Sequence, residues 1–427
     1  MTDDEKKKSK KAASAQQSAN AVLMAKIRGA IQKTTQSKPL QPGATAYAYV
    51  PTGSFNVDML IGGTPLKDNG KVLICPGFPR RRITEVYGAE SSGKTTLALS
   101  AIAQAQKAGG MALLIDFEHS IDLVYAQKLG VSLDDDKLQV YQPDTMEDGL
   151  KMLYIGIVGG VDIIVVDSVA AMVPKAEFDK NFDQSAKIGA LAAKFSTELP
   201  KFVSWLHKHP ADKPGHPGTA LVLINQTRAL INTSNPYGGA GDSENTSGGK
   251  ALKFYAYERL RLARIKSEFV ERKDKMSGKV RRFPYGNVTD VKVVKSKIDA
   301  KQGHSTQIFI RFGTGIDDYL SVIETGVVQR LIKRDGKFYT FSGERFQGKD
   351  RLRSYLIANP EIYEQVRSKL VEAVNSSAVV DELGEDDELI EGLDLDAVSQ
   401  EDAEDSEPPI DEILPDPDEP EPDGGGE

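Results

Sequence analysis

The stretch Gly88-Ala89-Glu90-Ser91-Ser92-Gly93-Lys94-Thr95 has the residue types and spacing to hold a phosphate chain. It fits Gly-x-x-x-x-Gly-Lys-Ser/Thr, in which the glycines let backbone N–H groups turn toward an anion at the positive end of a helix. Lys94 is expected to reach the terminal phosphates of a nucleoside triphosphate, and the Thr95 hydroxyl to ligate Mg²⁺. A Gly/Ser-rich strand–helix turn without a ligand is the bland alternative, and the full pattern in a strand–loop–helix setting weighs against it. Hydrolysis needs more than a cradle. Asp167 ends the apolar run Ile163-Ile164-Val165-Val166, which places a carboxylate at the carboxyl edge of a sheet, where it can hold Mg²⁺ directly or through water. The other reading of Asp167 is a helix cap. Asp116 and Glu118 follow the apolar run 111–115 in the same way, and either carboxylate could polarise a water for attack on a phosphate. Spacing alone does not choose between them. Gln226, just after the run 220–224, could sense the terminal phosphate through its amide.

These groups need a scaffold that brings strand ends together. Ile83-Thr84-Glu85-Val86-Tyr87 reads as a strand, and Leu97, Ala101, Ile102 and Ala105 follow at helical spacing until Gly109-Gly110. The short apolar runs 111–115, 161–166 and 220–224 are those of parallel strands covered on both faces, with helices expected over 145–158 and 191–207 between them. Further strands are expected at 291–294 and 306–312. The fold class is α/β, with a mostly parallel central sheet over residues 45–317. Residues 318–375 read as a small α+β domain with a hairpin at 330–341 turning at Asp335-Gly336. Residues 1–44 hold a lysine-rich segment and an amphipathic helix over 22–31 whose apolar face has no neighbour in sequence. Residues 376–427 form an acidic, proline-containing tail expected to be disordered. The polar stretch 232–249 is long for a plain linker inside a compact domain.

Composition bounds the setting. The chain has 427 residues, 40% hydrophobic, and Cys75 is its only cysteine, so no intramolecular disulfide is possible and a cytoplasmic location is expected. The amino-terminal segment has no apolar core of a signal peptide, and no apolar run is long enough to span a membrane. The net charge of −8 conceals a division. Residues 381–427 hold 22 Asp and Glu with no Lys or Arg, leaving 54 basic and 40 acidic residues before them, a net of +14. A basic body suits a polyanionic partner, and an acidic tail either competes for the same surface or serves solubility. His207, His209 and His216 lie in or beside a Pro/Gly loop without zinc spacing and read as surface residues.

Beyond these readings, the chain resembles the bacterial RecA recombinases over most of its length. The likeness rests on GAESSGKTT at 88–96, DFEHSID at 116–122, QPDT at 142–145, IVVDSVAAMVPKAE at 164–177, INQ at 224–226, GGKALKFY at 248–255 and VKVVKSKIDA at 291–300. The resemblance implies an ATP- and Mg²⁺-dependent filament on single-stranded DNA that pairs homologous duplex DNA and exchanges strands in recombination and repair. It implies that residues 88–96, Thr96 included, hold the phosphates, that Asp122 and Tyr125 line the adenine pocket, and that Glu118 is the water-activating carboxylate. Gln226 becomes the γ-phosphate sensor, and Lys295 and Lys297 reach the ATP of a neighbouring subunit. Two DNA loops are implied at 177–190 and 227–249, with Lys194, Lys201, Arg228, Gly248 and Gly249 on the DNA backbone. Sequence-independent contacts of that kind leave specificity to base pairing. The helix over 22–31 is implied to dock on the next subunit of a homo-oligomer, and recombination mediators and repressor-type proteins are implied as further partners. The chain departs from the family in four places. The first loop is slightly longer, with Ile188 as the equivalent of an apolar wedge. The second reads Asn235-Pro236-Tyr237-Gly238-Gly239 in place of the family's Phe and Asn-Pro-Glu. Residues 66–78 form an insertion, and the acidic tail is longer. Two other classes remain in view: a DNA-binding mediator without turnover, which has no need of the full set of catalytic residues, and a hexameric helicase motor, against which the 248–255 and 291–297 segments speak.

Overall fold

The computed structural model describes residues 48–380 apart from 63–65, 69–70, 74–75, 181–188, 209–214, 229–244, 274–279 and 298–301, together with helical residues 22, 24–27 and 33. Its centre is built from the apolar runs. β1 (Ile83–Gly88) leads through the phosphate-loop sequence into α1 (Lys94–Lys107), followed by β2 (Ala112–Asp116), α2 (Leu123–Lys128) and β3 (Leu138–Tyr141). Then come α3 (Met146–Gly159), β4 (Ile163–Asp167), α4 (Ala190–Lys208) and β5 (Ala220–Arg228). The strands are parallel, in the spatial order β1-β5-β4-β2-β3. Alternation within each run explains why the runs are apolar throughout. Ile163 and Val165 enter one core with Leu97 and Ile102 of α1, whereas Ile164 and Val166 enter a second core with Leu153 of α3 and Phe195 of α4. A polar side chain on either face would be buried, so period-2 polarity is absent.

Local chemistry sets where the helices begin. Thr145 caps α3 by accepting from the Asp148 N–H, and Gly160 ends that helix at φ +73°. Asp122 caps α2 by accepting from the Val124 and Tyr125 N–H groups.

The sheet continues past β1 in a way the sequence only partly announces. After α5 (Gly249–Tyr255), β6 (Glu258–Lys273) runs parallel to β1, and β7 (Val280–Ser296), β8 (Ser305–Arg311) and β9 (Gly315–Ile316) follow antiparallel. The expected strand at 291–294 is one end of a 17-residue strand. Register shifts at Arg259/Leu260, Arg264/Lys266 and Glu268/Phe269 break the alternation, which hides the full length from a period-2 reading. β1 accompanies β6 only over Glu258–Leu262, and β8 accompanies β7 only over Gly286–Lys292. Beyond those limits β6 and β7 pair with each other alone, as a ribbon with Phe269, Val280 and Phe283 exposed.

A third core gathers Phe55, Val288 and Phe309 with residues of the carboxy-terminal elements, among them Leu320, Leu352, Tyr363 and Leu370. Those elements are α6 (Asp318–Val328), β10 (Lys333–Asp335), β11 (Phe338–Phe341), β12 (Glu344–Gln347), α7 (Lys349–Ala358) and α8 (Pro360–Val380). The β10–β11 hairpin turns at Gly336, φ +54°, and a third strand, β12, joins it. α8 continues to Val380, past the start of the expected tail. The helix Phe55–Ile61 fixes the junction: the Phe55 N–H donates to Asp318 Oδ1 at 2.6 Å, and the Tyr363 hydroxyl donates to Asp318 Oδ2 at 2.7 Å. Within the 66–78 insertion, Leu66–Asp68 and Lys71–Leu73 form a small hairpin and Phe78 is wholly buried. Among residues 22–33, Val22, Met24 and Ile27 are helical and exposed. Among the described residues no helix is long and apolar enough to cross a membrane.

Candidate nucleotide and DNA site

Parallel pairing brings four strand ends to one edge of the sheet. Gly88 is level with Gln226, and Asp116 is level with Asp167. The cradle between β1 and α1 requires its glycines. A Cβ on Gly88 would lie 2.1 Å from the Leu262 carbonyl oxygen, and Gly93 has φ +91° with Ile310 Cδ1 2.2 Å from where a Cβ would stand. Ser91 also adopts a left-handed conformation, φ +58°. These turns aim the loop toward α1's amino terminus, where an anion is favoured. The Ser92 hydroxyl is buried without a partner among the described residues, which suits a phosphate oxygen.

Lys94 lies across this cradle. Its Nζ donates to the Gly88 and Ala89 carbonyl oxygens at 3.2 and 2.7 Å, and burial lowers its pKa. Thr95 Oγ1 donates to Asp167 Oδ2 at 2.7 Å. Burial raises the Asp167 carboxyl to about 6, with Glu118 and Asp116 adding to the rise and the Thr95 hydrogen bond opposing it. A dication beside Asp167 would offset that penalty, so the Thr95–Asp167 oxygen pair fits Mg²⁺. Among the described residues no group of three or more His, Cys, Asp and Glu could hold a metal alone. This agrees with the chemistry of Mg²⁺, which takes one or two protein oxygens and completes its shell from phosphates and water.

The two candidate water-activating carboxylates differ sharply in setting. Asp116 is fully buried, and its oxygens accept from the Glu118 N–H (3.1 Å), the Ile121 N–H (3.2 Å) and Gln142 Nε2 (2.8 Å). It is spent on shaping the loop after β2. Glu118 faces outward from the same sheet edge, where its Oε1 accepts from the Ser168 hydroxyl and from Gln226 Nε2 at 2.8 Å. Glu118, Gln226 and Phe117 line one cleft. A second pocket, of about 260 Å³, lies over Lys94, Thr95 and Thr96. Tyr125 forms one wall, its hydroxyl 3.0 Å from Thr96 Oγ1, while Asp122 holds the Tyr125 backbone by capping α2. Asn287, Ile310 and Phe312 supply the opposite wall. Sequence reasoning missed these three, since they come from β7, β8 and the turn after it, 192 to 217 residues beyond Thr95 in the chain. It also missed Ser168, whose hydroxyl orients Glu118.

Lys295 and Lys297 stand apart from their own chain's cradle. Lys295 is the cross-strand partner of Arg259, and Arg259 is level with Glu85, whereas the cradle begins at Gly88 with Leu262 and Val291 beside it. At about 3.3 Å per residue, the two lysines lie toward the opposite end of the sheet. There Lys295 Nζ donates to the Lys253 and Phe254 carbonyl oxygens at the end of α5, at 2.6 and 2.9 Å, and Lys297 reaches Phe254 at 3.5 Å. Burial, then Lys297 and Arg259, lower the Lys295 pKa to about 8.

The residues expected on DNA are partly gathered. Lys194 on α4 pairs with Glu147 (3.6 Å) and Glu198 (4.0 Å), and Lys201 pairs with Glu198 (3.0 Å). Gly248 and Gly249 open α5 with φ of +89° and +70°, and a Cβ on Gly249 would lie 2.7 Å from Ala192 Cβ of α4. The two glycines therefore sit against the α4 turn that carries Lys194. Arg228 ends β5, where the two-residue strand Asn245–Thr246 pairs with it. The departures at Ile188 and at 235–239 lie outside the described residues.

Comparison with known proteins agrees with this geometry. The family model described as the RecA N-terminal domain matches residues 45–317, and the RecA C-terminal domain matches 321–375. The chain is 40% identical to the Protein RecA of Salinispora tropica over 333 residues, covering 78% of this chain and 84% of that one. It is 39% identical to the Protein RecA of Mycobacterium avium over 349 residues (81% and 89%). With the Protein RecA of Corynebacterium glutamicum it shares 42% over 337 residues (77% and 82%). With the cradle, the strand-end carboxylates and both family domains present in one chain, the protein belongs to the RecA family of DNA-dependent ATPases that act in recombination and repair.

Proposed function

We propose that this protein assembles as a filament of identical subunits on single-stranded DNA, pairs it with homologous duplex and exchanges strands, hydrolysing ATP as it does so. The observation that carries the catalytic assignment is the outward-facing Glu118, held between the Ser168 hydroxyl and Gln226. In this reading the 88–96 loop grips the triphosphate, and Thr95 and Asp167 hold Mg²⁺, which supplies charge neutralisation on the phosphates when bound. Glu118 accepts a proton from the attacking water, and Asp116 serves only to set the loop. Gln226 bonds Glu118 through its amide, so a γ-phosphate that draws the amide away frees the carboxylate and reports nucleotide state to residues 227–249. Tyr125 stacks on the base, with Asp122 beside it.

Lys295 and Lys297 act on a neighbour's nucleotide. The support is their place at the sheet end remote from their own cradle, where both ammonium groups donate to carbonyl oxygens of α5. Cations delivered in trans can speed phosphoryl transfer by roughly 10³–10⁵. The exposed Val22, Met24 and Ile27 supply the apolar face by which one subunit docks on the next. Lys194, Lys201, Arg228 and the N–H groups at Gly248–Gly249 contact the DNA backbone.

One assay tests this reading. ATP hydrolysis is expected to be slight alone and to rise with single-stranded DNA, with strand exchange in the same reaction. Stimulated hydrolysis with duplex unwinding and no exchange would point to a motor, and no hydrolysis to a mediator.

A further inference from the structure

A buried polar chain crosses the sheet between the two ends just described. Glu85, in the middle of β1, is wholly buried although Ile83, Leu221 and Leu223 beside it are apolar. Its Oε1 accepts from Asn225 Nδ2 at 2.9 Å and its Oε2 from Arg259 Nε at 2.5 Å. On the β6 side, Arg259 stacks over the Tyr87 ring at 4.7 Å and faces Lys295 across the strand pair. On the β5 side, Asn225 is equally buried and does two more things. Its Nδ2 donates to the Ser247 carbonyl oxygen at 2.8 Å, and its Oδ1 accepts from the Gln226 N–H at 2.9 Å. Gln226 continues the chain to Glu118. Ser247 lies at the neck where Thr227 pairs with Thr246, immediately before Gly248.

An ionised pair in an apolar sheet costs desolvation that hydrophobic residues of similar volume would avoid. The sheet does not need Glu85 for packing. Three more polar atoms, on Arg259 and on the neck, are buried without a partner among the described residues: Arg259 Nη2, Thr246 Oγ1 and Ser247 Oγ. A network with spare donors and acceptors can exchange partners, which a two-state coupling element requires.

We propose that Glu85 and Asn225 are positioning residues that couple Gln226, and the strand end bearing Lys295, to the neck formed by Thr227, Thr246 and Ser247. The inference rests on the reading of Gln226 and the 227–249 neck given under Proposed function. In it, Asn225 sets the Gln226 backbone and the Ser247 carbonyl together, and Glu85 fixes Asn225 against Arg259. A change at either sheet end shifts the neck through this one bridge.

The test uses full-length Glu85→Gln, Asn225→Ala and their combination, with Glu85→Gln/Arg259→Met to remove the unpaired buried charge should Glu85→Gln alone fold poorly. A labelled oligo-dT is titrated with a non-hydrolysable ATP analogue bound and again with ADP bound, and the ratio of the dissociation constant with ADP to that with the analogue is the readout. The nucleotide affinity without DNA is measured separately with a fluorescent ATP analogue. The expected result is a fall of at least about tenfold in the ratio, nucleotide affinity within about threefold of wild type, and no further loss on combining Glu85→Gln with Asn225→Ala. A merely structural role lowers thermal stability and both DNA affinities in parallel, leaving the ratio intact, and that result overturns the proposal. A wild-type ratio near one would remove the nucleotide-sensing reading of Gln226 on which the proposal rests. A normal wild-type ratio retained in folded variants would overturn only the coupling role.

Discussion

At the scale of single residues, environment separates groups that look alike in sequence. Asp116 and Glu118 stand two residues apart after the same strand, yet one is enclosed by three donors and the other faces outward. Glu118→Gln is accordingly expected to bind ATP and DNA but to lose about 10²–10⁴ in DNA-stimulated turnover. A steady-state ATPase assay beside a nucleotide-binding titration checks it, and unchanged turnover would take Glu118 out of the mechanism. Asp116→Asn is expected to act differently, lowering thermal stability because the 117–121 loop loses a charged acceptor. A second buried acid contributes to pH dependence. Burial raises the Asp58 carboxyl from 3.8 to about 8, despite hydrogen bonds from the Thr52 N–H and hydroxyl. The folded protein therefore holds this proton more tightly than the unfolded chain, and the resulting stability is full below about pH 4 and lost as pH rises toward 8. Asp58→Asn keeps an acceptor for Thr52 without the charge. Its melting temperature relative to wild type is expected to climb between pH 5 and 8, and a constant difference across that range would refute the assignment.

At the scale of elements, the β6–β7 ribbon separates what the sheet needs from what it carries. The cores draw on β6 through Leu260 and Leu262 and on β7 through Val288, Val291 and Val293, while Phe269, Val280 and Phe283 remain exposed. Replacing residues 269–284 by a two-residue hairpin turn is expected to move the melting temperature by no more than about 2–4 °C, since little apolar area would leave a core. A loss of cooperative unfolding would show that the ribbon supports the sheet. The ribbon also shows what a pattern reading overlooks. Its alternation is broken by three register shifts, so only 291–294 within β7 was legible as a strand and β6 was not. The parallel strands were legible because burial on both faces leaves uninterrupted apolar runs, and α3 because Thr145 and Gly160 mark its ends.

At the scale of the whole molecule, the proposed site is divided between subunits. In the proposed filament, a heterologous, repeating contact would place one protomer's Lys295 beside the next protomer's cradle. Lys295→Ala and Glu118→Gln are each expected to abolish stimulated hydrolysis. Mixed in equal amounts on DNA, they are expected to recover about a quarter of wild-type activity, because a random repeating array places an intact Glu118 beside an intact Lys295 at one contact in four. If Lys295 acted within its own chain, mixing would restore nothing. The measurement needs only purified variants and a steady-state assay.

The sequence by itself determined the phosphate-loop motif, the parallel strands of the core with their helices, and the family, because each rests on local pattern: a loop motif, apolar runs and turn residues. Spacing alone left Asp116 and Glu118 as equals, since it places both at one strand end and says nothing about which is enclosed, and only the family resemblance pointed to Glu118. Only the tertiary structure decided that Asn287, Ile310 and Phe312 line the pocket over Lys94 and Thr95, and that Lys295 lies remote from its own cradle. Only it joined Glu85 to Asn225 and Arg259, residues 140 and 174 positions away along the chain. The physical reason is common to all of these. Register across neighbouring strands converts distant positions into contacts, and burial then fixes which polar groups are spent on the fold and which remain for chemistry.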